Sequence, residues 1–452
     1  MKKTLSIIIS TVFATVLHAQ NGINTPYSRY GFGIQSERAL GFNKGMGGVA
    51  QGFRNGQQIN IANPASYSAV DSLTALFDMG ISLQNGNYKM GNLQQNVRNS
   101  SFDYFAFQFR AFKHVGVTIG LMPVTNIKYN FSSSNESLQN NEEITSTYKF
   151  NGDGGLHELT LGMGWQPFKP ISFGLNVSYI WGDYTHNMSM SFSESSAFSM
   201  SRIYKADIST YSIQGGLQYI QPIGKKDQLV VGGTYTLGHK TDNDAFRITR
   251  TMNSAAVENE TNDTIKHAFQ LPTCITAGFT YYHANKLRVG VDFELQKWSL
   301  CMFPNQQTGI ASSSYTGHSD VYSSTKGQLN DRMKVAAGMD WTPNESSSKF
   351  FNRCTYKLGG YYAQTYAKAD ITETVTQKPS EIGVSAGVSL PLSNSNMYRI
   401  SPKINVAVQW VHTNIPYLNA VTSQKSTLTE NYFRFCLGVT FSERWFQKWK
   451  VQ

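Results

Sequence analysis

The chain has 452 residues, of which 15% are charged and 13% aromatic, and a formal charge of +10. Mean hydropathy is −0.32, and no run of about eighteen apolar residues follows residue 20, which excludes a transmembrane helix there. The basic residues are scattered without forming a cluster, so they read as solvated loops and an affinity for anionic lipopolysaccharide, and no nucleic-acid partner is expected.

The first residues read as a secretory signal peptide over 1–19. Lys2 and Lys3 precede an apolar run from Leu5 to Leu17 that ends at Ala19, and cleavage there leaves Gln20 first. Residues 20–73 follow another logic. They carry Gly31, Gly33, Gly41, Gly45, Gly47, Gly48, Gly52 and Gly56 and end near Asn63-Pro64-Ala65. Glycine allows close backbone packing, so this stretch is expected to start in the periplasm and fold back into a lumen as a hatch or plug.

From residue 74 to 442 period-two alternation dominates, the signature of strands with one apolar face. Phe77, Met79, Ile81 and Leu83 alternate with Asp78, Gly80, Ser82 and Gln84. The pattern recurs from Phe105, Val115, Leu159, Ile171, Tyr211, Leu229, Ile275, Leu287, Val335, Tyr356, Ile382, Ile404 and Phe433. The fold class expected is all-β, a transmembrane antiparallel barrel of about fourteen strands, since such barrels carry an even number.

Connections alternate in length, which fixes the orientation. Tight turns are read at 113–114, 166–170, 222–227, 283–286, 342–351 and 391–396. Long polar loops are read at 85–99, 132–146, 186–202, 241–264, 302–327, 372–378 and 413–429. Short turns face the periplasm and long loops the exterior in outer-membrane barrels. Trp165, Tyr179, Trp181, Tyr281, Tyr282, Trp298, Trp341, Trp410 and Trp445 are expected in aromatic girdles at headgroup depth. Residues 443–452 read as a basic periplasmic tail.

Several motifs fail on context. Gly383-Val-Ser-Ala-Gly387 has the spacing of a nucleophile elbow but lies inside an alternating run with no helix after it. Gly45-Met-Gly-Gly48 lacks the strand and helix of a dinucleotide site, and His157-Glu158 lacks the second histidine of a zincin. Cys274, Cys301, Cys354 and Cys436 have no ligand spacing and read as small strand fillers. No catalytic residue, metal or cofactor is expected, and the chain is not read as an enzyme.

Three stretches carry a likeness to a known family: Asn24-Thr-Pro-Tyr-Ser-Arg-Tyr-Gly-Phe-Gly33 with Gly45-Met-Gly-Gly48 and Asn63-Pro-Ala65, then Leu271–Tyr281, then Leu287–Trp298. On these the chain resembles the FadL/TodX family of outer-membrane transport proteins, in the branch seen in Bacteroidota. The resemblance implies passive uptake of hydrophobic small molecules such as long-chain fatty acids, with the hatch closing the lumen and cargo leaving through the barrel wall. It makes Gly45, Gly47, Gly48, Asn63, Pro64 and Ala65 the hatch positions; it matches no cargo ligand to a position, and the inward groups offered as lumen-facing ligand candidates are Tyr104 and Arg110, placed there by the alternation of their strand. The alternative it leaves open is a non-transporting subunit of an outer-membrane secretion or barrel-assembly complex, with other outer-membrane proteins as partners.

Overall fold

The computed structural model describes residues 24–90, 93–139, 142–194, 197–253, 256–284, 286–305, 321–368, 378–392, 402–418 and 425–444. The signal segment 1–19, Trp445 and the rest of the basic tail lie outside them. Fourteen antiparallel strands close into a barrel. They are β1 (Thr74–Met90), β2 (Leu93–Phe112), β3 (Val115–Pro123 with Thr125–Gln139), β4 (Glu142–Phe168) and β5 (Ile171–Phe192). Next come β6 (Ser199–Ile223), β7 (Asp227–Thr236 with Ala245–Asn253), β8 (Ala256–Ile265 with Cys274–His283) and β9 (Leu287–Gln296). The last are β10 (Arg332–Trp341), β11 (Thr355–Gln364), β12 (Ser380–Pro391), β13 (Lys403–Leu418) and β14 (Lys425–Arg444). Pairing of β1 with β14, from Thr74↔Arg444 to Met90↔Leu428, removes the sheet edges.

Alternation sorts side chains by solvent. Phe433, Phe435, Leu437 and Phe441 on β14 stand outward and exposed, as do Leu159, Leu161 and Met163 on β4 and Phe173, Leu175 and Val177 on β5. Between them the inward positions are polar and buried: Glu158 and Thr160 on β4, Asn176 and Ser178 on β5, Asp292 on β9, Asn405 and Gln409 on β13. An apolar exterior around a polar interior is the arrangement a bilayer imposes, because backbone groups are satisfied between strands and only alternate side chains meet lipid. The chain is thus a multi-pass barrel of the outer membrane. Trp165, Tyr179, Trp341 and Trp410 are exposed as expected of girdle residues, whereas Tyr282 and Trp298 are buried inside. For these two the strand-end position is right and the face is wrong.

Among the described residues the expected long loops at 85–99, 132–146, 186–202, 241–264 and 413–429 are largely strand; most of 302–327 and of 372–378 lies outside the described residues. The β1–β2 hairpin stays paired out to Met90↔Leu93, and β5 runs to Phe192. Asn, Ser, Thr and Gln alternate there as well as apolar residues do, and paired strands above the membrane need no apolar face. The connection between β9 and β10, read as an external loop, instead turns its described part inward. There Phe303 and Pro304 pair with Thr325 and Ser324, and Trp298, Cys301, Phe303 and Leu329 are buried.

Residues 24–73 occupy the lumen, but they run in the direction opposite to that expected. Asn24 and Thr25 lie at the long-hairpin end: the Asn24 carbonyl accepts from the Tyr88 hydroxyl at 2.7 Å, and the Thr25 N–H donates to the Lys128 carbonyl at 2.9 Å. The segment then descends to Thr74 at the tight-turn end. Three short 3-10 turns shape it, Pro26–Arg29, Lys44–Met46 and Pro64–Ala69. Asn63 caps the last, its side chain accepting from the Ala65 N–H at 3.1 Å, with Pro64 at the first helical position where no N–H is missed.

Candidate functional site

Function in this chain turns on how the lumenal segment meets the wall. Glycines on the inward faces of strands let its backbone lie directly on the sheet. A Cβ at Gly232 would collide with the Gln51 carbonyl, one at Gly174 with Pro64, and one at Gly338 with the Met46 carbonyl. The expected hatch positions sit at these contacts. Gly45 lies against Gly387, and Gly47, in a left-handed conformation with φ +66°, donates its N–H to Ser385 Oγ at 2.8 Å. The Asn63 amide donates to the carbonyls of Gln51 (3.0 Å) and Leu217 (3.3 Å), and Ala65 is fully buried.

Charges reinforce the contact. Arg38, partly exposed to the lumen, grips the buried Glu158 with Nη2 at 2.6 and 2.7 Å, and that carboxylate holds the guanidinium above its ordinary pKa. Lys44 pairs with Asp103; burial works against its charge, yet Asp103 and neighbouring acids raise it overall. Asp292 Oδ2 accepts two backbone N–H groups, of Ala50 at 2.6 Å and Gln51 at 2.9 Å. Arg288 binds Asp340 through Nε at 2.7 Å beneath Phe53. Sequence reasoning weighed Glu158 only as a metal ligand and passed over Lys44, Asp103, Arg288 and Asp340. Their signal was present, since these charges interrupt an alternating strand or a glycine-rich stretch, and a charge at membrane depth is kept only when paired or functional.

Two expected ligand groups are placed differently from each other. The Tyr104 hydroxyl accepts from the Gly41 N–H at 2.7 Å and donates to Asp78 Oδ1 at 2.9 Å, so it is committed to the lumenal segment. Arg110 lies at the tight-turn end and donates to Ser72 Oγ at 2.8 Å. Ser385 of the Gly383–Gly387 motif meets Gly47, and Glu158 of the His157-Glu158 pair meets Arg38. Among the described residues no group of three His, Cys, Asp or Glu is placed to hold a metal, and all the cysteines are unpaired.

Above these contacts the lumen is packed with aromatics. Phe32 meets Tyr184, Phe269, Trp298 and Phe303 at centroid distances of 5.0 to 6.2 Å. Segments 237–244 and 266–273 interrupt β7 and β8, and the second supplies Ala268 and Phe269 to this cluster. A cavity of about 200 Å³ remains beside it. That volume would admit a benzene-sized molecule, but cavities that do so are apolar. Here one side is apolar, with Phe32, Leu156, Ile180 and Trp298, while on the other Glu37, Glu158, Asp292 and Glu294 converge with Arg38 and Arg332.

Among the described residues the wall's ladder is broken over 206–213 of β6, where 237–244 leaves the sheet, and again between β2 and β3. β2 and β3 pair only from Phe105↔Leu121 to Phe112↔Val115. Beyond that, the free edge of β3 takes up the lumenal segment, Ile34↔Asn126 and Gln35↔Thr125, with the Ser36 N–H on the Val124 carbonyl at 2.9 Å. Among the described residues no strand pairs with β2 on this side over 93–104. Gly154, Gly155 and Gly182, with φ of +129°, +143° and +152°, bend the neighbouring strands around the break.

The architecture matches solved outer-membrane channels at low sequence identity. A Pseudomonas aeruginosa FadL homologue superposes with TM-score 0.63 at 11% identity, covering 91% of this chain and 99% of that one. The P. putida toluene transporter TodX gives 0.55 at 13%, covering 92% and 100%, and the Ralstonia pickettii toluene transporter TbuX gives 0.54 at 14%, covering 90% and 98%. The FadL/TodX resemblance therefore holds for the fold. No curated protein matches the sequence. A family model described as BamG, not a FadL model, matches residues 1–452. The chain belongs to the BamG family, built on the FadL/TodX barrel fold.

Proposed function

We propose that this barrel is a non-transporting subunit of an outer-membrane barrel-assembly complex, and that residues 24–73 act as a permanent hatch. The observation that carries the reading is the filled lumen. The segment is fixed by paired charges, capped turns and backbone laid on glycine tracks, and aromatics close the space above it. Moving it would strand several buried charges, each costing about 3–5 kcal/mol, with nothing in a hydrophobic cargo to replace their partners. The family name BamG supports the assembly context.

A second reading is passive uptake of small hydrophobic molecules. It is favoured by the break between β2 and β3, a side opening toward lipid, and by the fold shared with the toluene transporters TodX and TbuX. Strains with and without the gene separate the two. The proposal expects uptake of labelled toluene and fatty acid to be unchanged by deletion, while the folded fraction of other outer-membrane barrels falls. Lost uptake with unchanged barrel content would overturn it.

A further inference from the structure

The tight-turn end of the barrel opens on a cavity of about 1210 Å³, lined in part by Arg110. Its floor is Arg54. The guanidinium donates to Gln166 Oε1 at 2.9 Å, Ser68 Oγ at 3.0 Å and the Ala65 carbonyl at 3.2 Å, all neutral oxygens. Burial drives its pKa down to about 10, the mark of a cation without a counter-charge. Around it stand Arg110, Lys225, Lys226 and Lys286. Among the described residues none of these five cations is in an ion pair. Of the two lining acids, Asp227 is taken by His283 at 2.8 Å, which leaves Asp71.

We propose that this mouth is a docking site for an acidic, extended segment of a partner polypeptide, whose carboxylates neutralise Arg54 and the turn lysines. Charge complementarity selects the ligand's sign. The open mouth has room for an extended chain, being larger than the about 300–1,000 Å³ of pockets for small molecules. Position excludes a lipid headgroup, because the cavity lies inside the ring of strands and faces the periplasm rather than the bilayer. The proposal draws on the subunit reading only for a polypeptide partner being at hand. Deletion phenotypes test that reading and peptide binding tests this one, so the two can fail separately.

The test is anisotropy of fluorescein-labelled octaglutamate titrated with the full-length protein in a neutral detergent, with octalysine as the control. Octaglutamate should bind and octalysine should not, and affinity should fall as salt rises. The double variant Lys225→Glu/Lys226→Glu, on an exposed turn, should weaken binding about tenfold or more. Arg54→Gln should weaken it too; where Arg54→Gln does not reach the folded, heat-modifiable form, the turn variant decides. Equal affinity in the turn variant would overturn the proposal. Displacement of the peptide by inorganic phosphate at an ionic strength where chloride has no effect would overturn it as well, by making the site one for phosphoryl anions.

Discussion

Asp292 is the sharpest test of whether the lumenal segment is fixed. Its Oδ2 accepts the N–H groups of Ala50 and Gln51 at 2.6 and 2.9 Å, and both of those residues are buried. Asp292→Ala removes both acceptors. Hydrogen bonds to a charged group contribute about 1.5–3 kcal/mol each, and loss of the carboxylate's own desolvation cost offsets part of that. A net loosening of about 2–4 kcal/mol follows, which at about 1.4 kcal/mol per tenfold corresponds to roughly 30- to 1,000-fold faster local opening. Hydrogen exchange read by mass spectrometry on the micelle-bound protein should show that acceleration in peptides covering 46–53, with peptides covering 171–180 of β5 unchanged. Asp292→Asn, which keeps an acceptor oxygen without charge, should fall between. Exchange at Ala50 and Gln51 that stays at the wild-type rate in Asp292→Ala would refute the claim that the wall holds the segment here.

Lys44→Met strands Asp103 in the lumen and should cost about 3–5 kcal/mol in the thermal unfolding of the barrel. Because the folded pKa of Lys44 lies above its unfolded value, the wild type's advantage over this variant is complete from neutral pH, where Asp103 is a carboxylate, up to about pH 10.5 and shrinks as pH rises through the folded value; an advantage that grows with alkali contradicts the pairing. Gly232→Ala drives a Cβ into the Gln51 carbonyl, whereas Gly215→Ala meets open space, so limited proteolysis should cut the lumenal segment faster only in the first, whose overpacking costs about 1–3 kcal/mol. Asn63→Ala loses a helix cap, about 0.5–2 kcal/mol, together with two amide donors, and should release the Pro64–Ala69 turn to exchange. Leu437→Arg, on the lipid face of β14, should lower barrel stability by about 2–4 kcal/mol if it sits at mid-bilayer; unchanged unfolding would place that face away from lipid.

The strands were legible because a barrel wall writes period two into sequence twice, once for lipid and once for the lumen. Phe433, Phe435 and Leu437 set one face, and Gln409, Asn405 and Asp292 the other. Length was misjudged where both faces meet water, as in the β1–β2 hairpin, since polar alternation looks like loop. The course of residues 24–73 was not legible. Contacts such as Thr25 to Glu430 and Tyr27 to Thr365 join residues far apart in sequence, and no local pattern encodes which end of a lumen a glycine-rich chain enters. The glycines of the segment are only one side of the contact; the matching glycines, Gly174, Gly232 and Gly338, lie in the wall, where period two hides them. Tyr282 and Trp298 show the limit of reading aromatics near strand ends as girdle residues, because facing depends on registers that bulges and inward turns reset.

The central claim is that a barrel with a filled lumen works through its partners. Affinity purification of the tagged full-length chain from native outer membranes in mild detergent, with stoichiometry read by quantitative mass spectrometry, tests it most directly. The account predicts a stable complex in which at least one other outer-membrane barrel is present in equimolar amount. Recovery of a lone monomer, with a hydrophobic small molecule bound in the lumen, would contradict it.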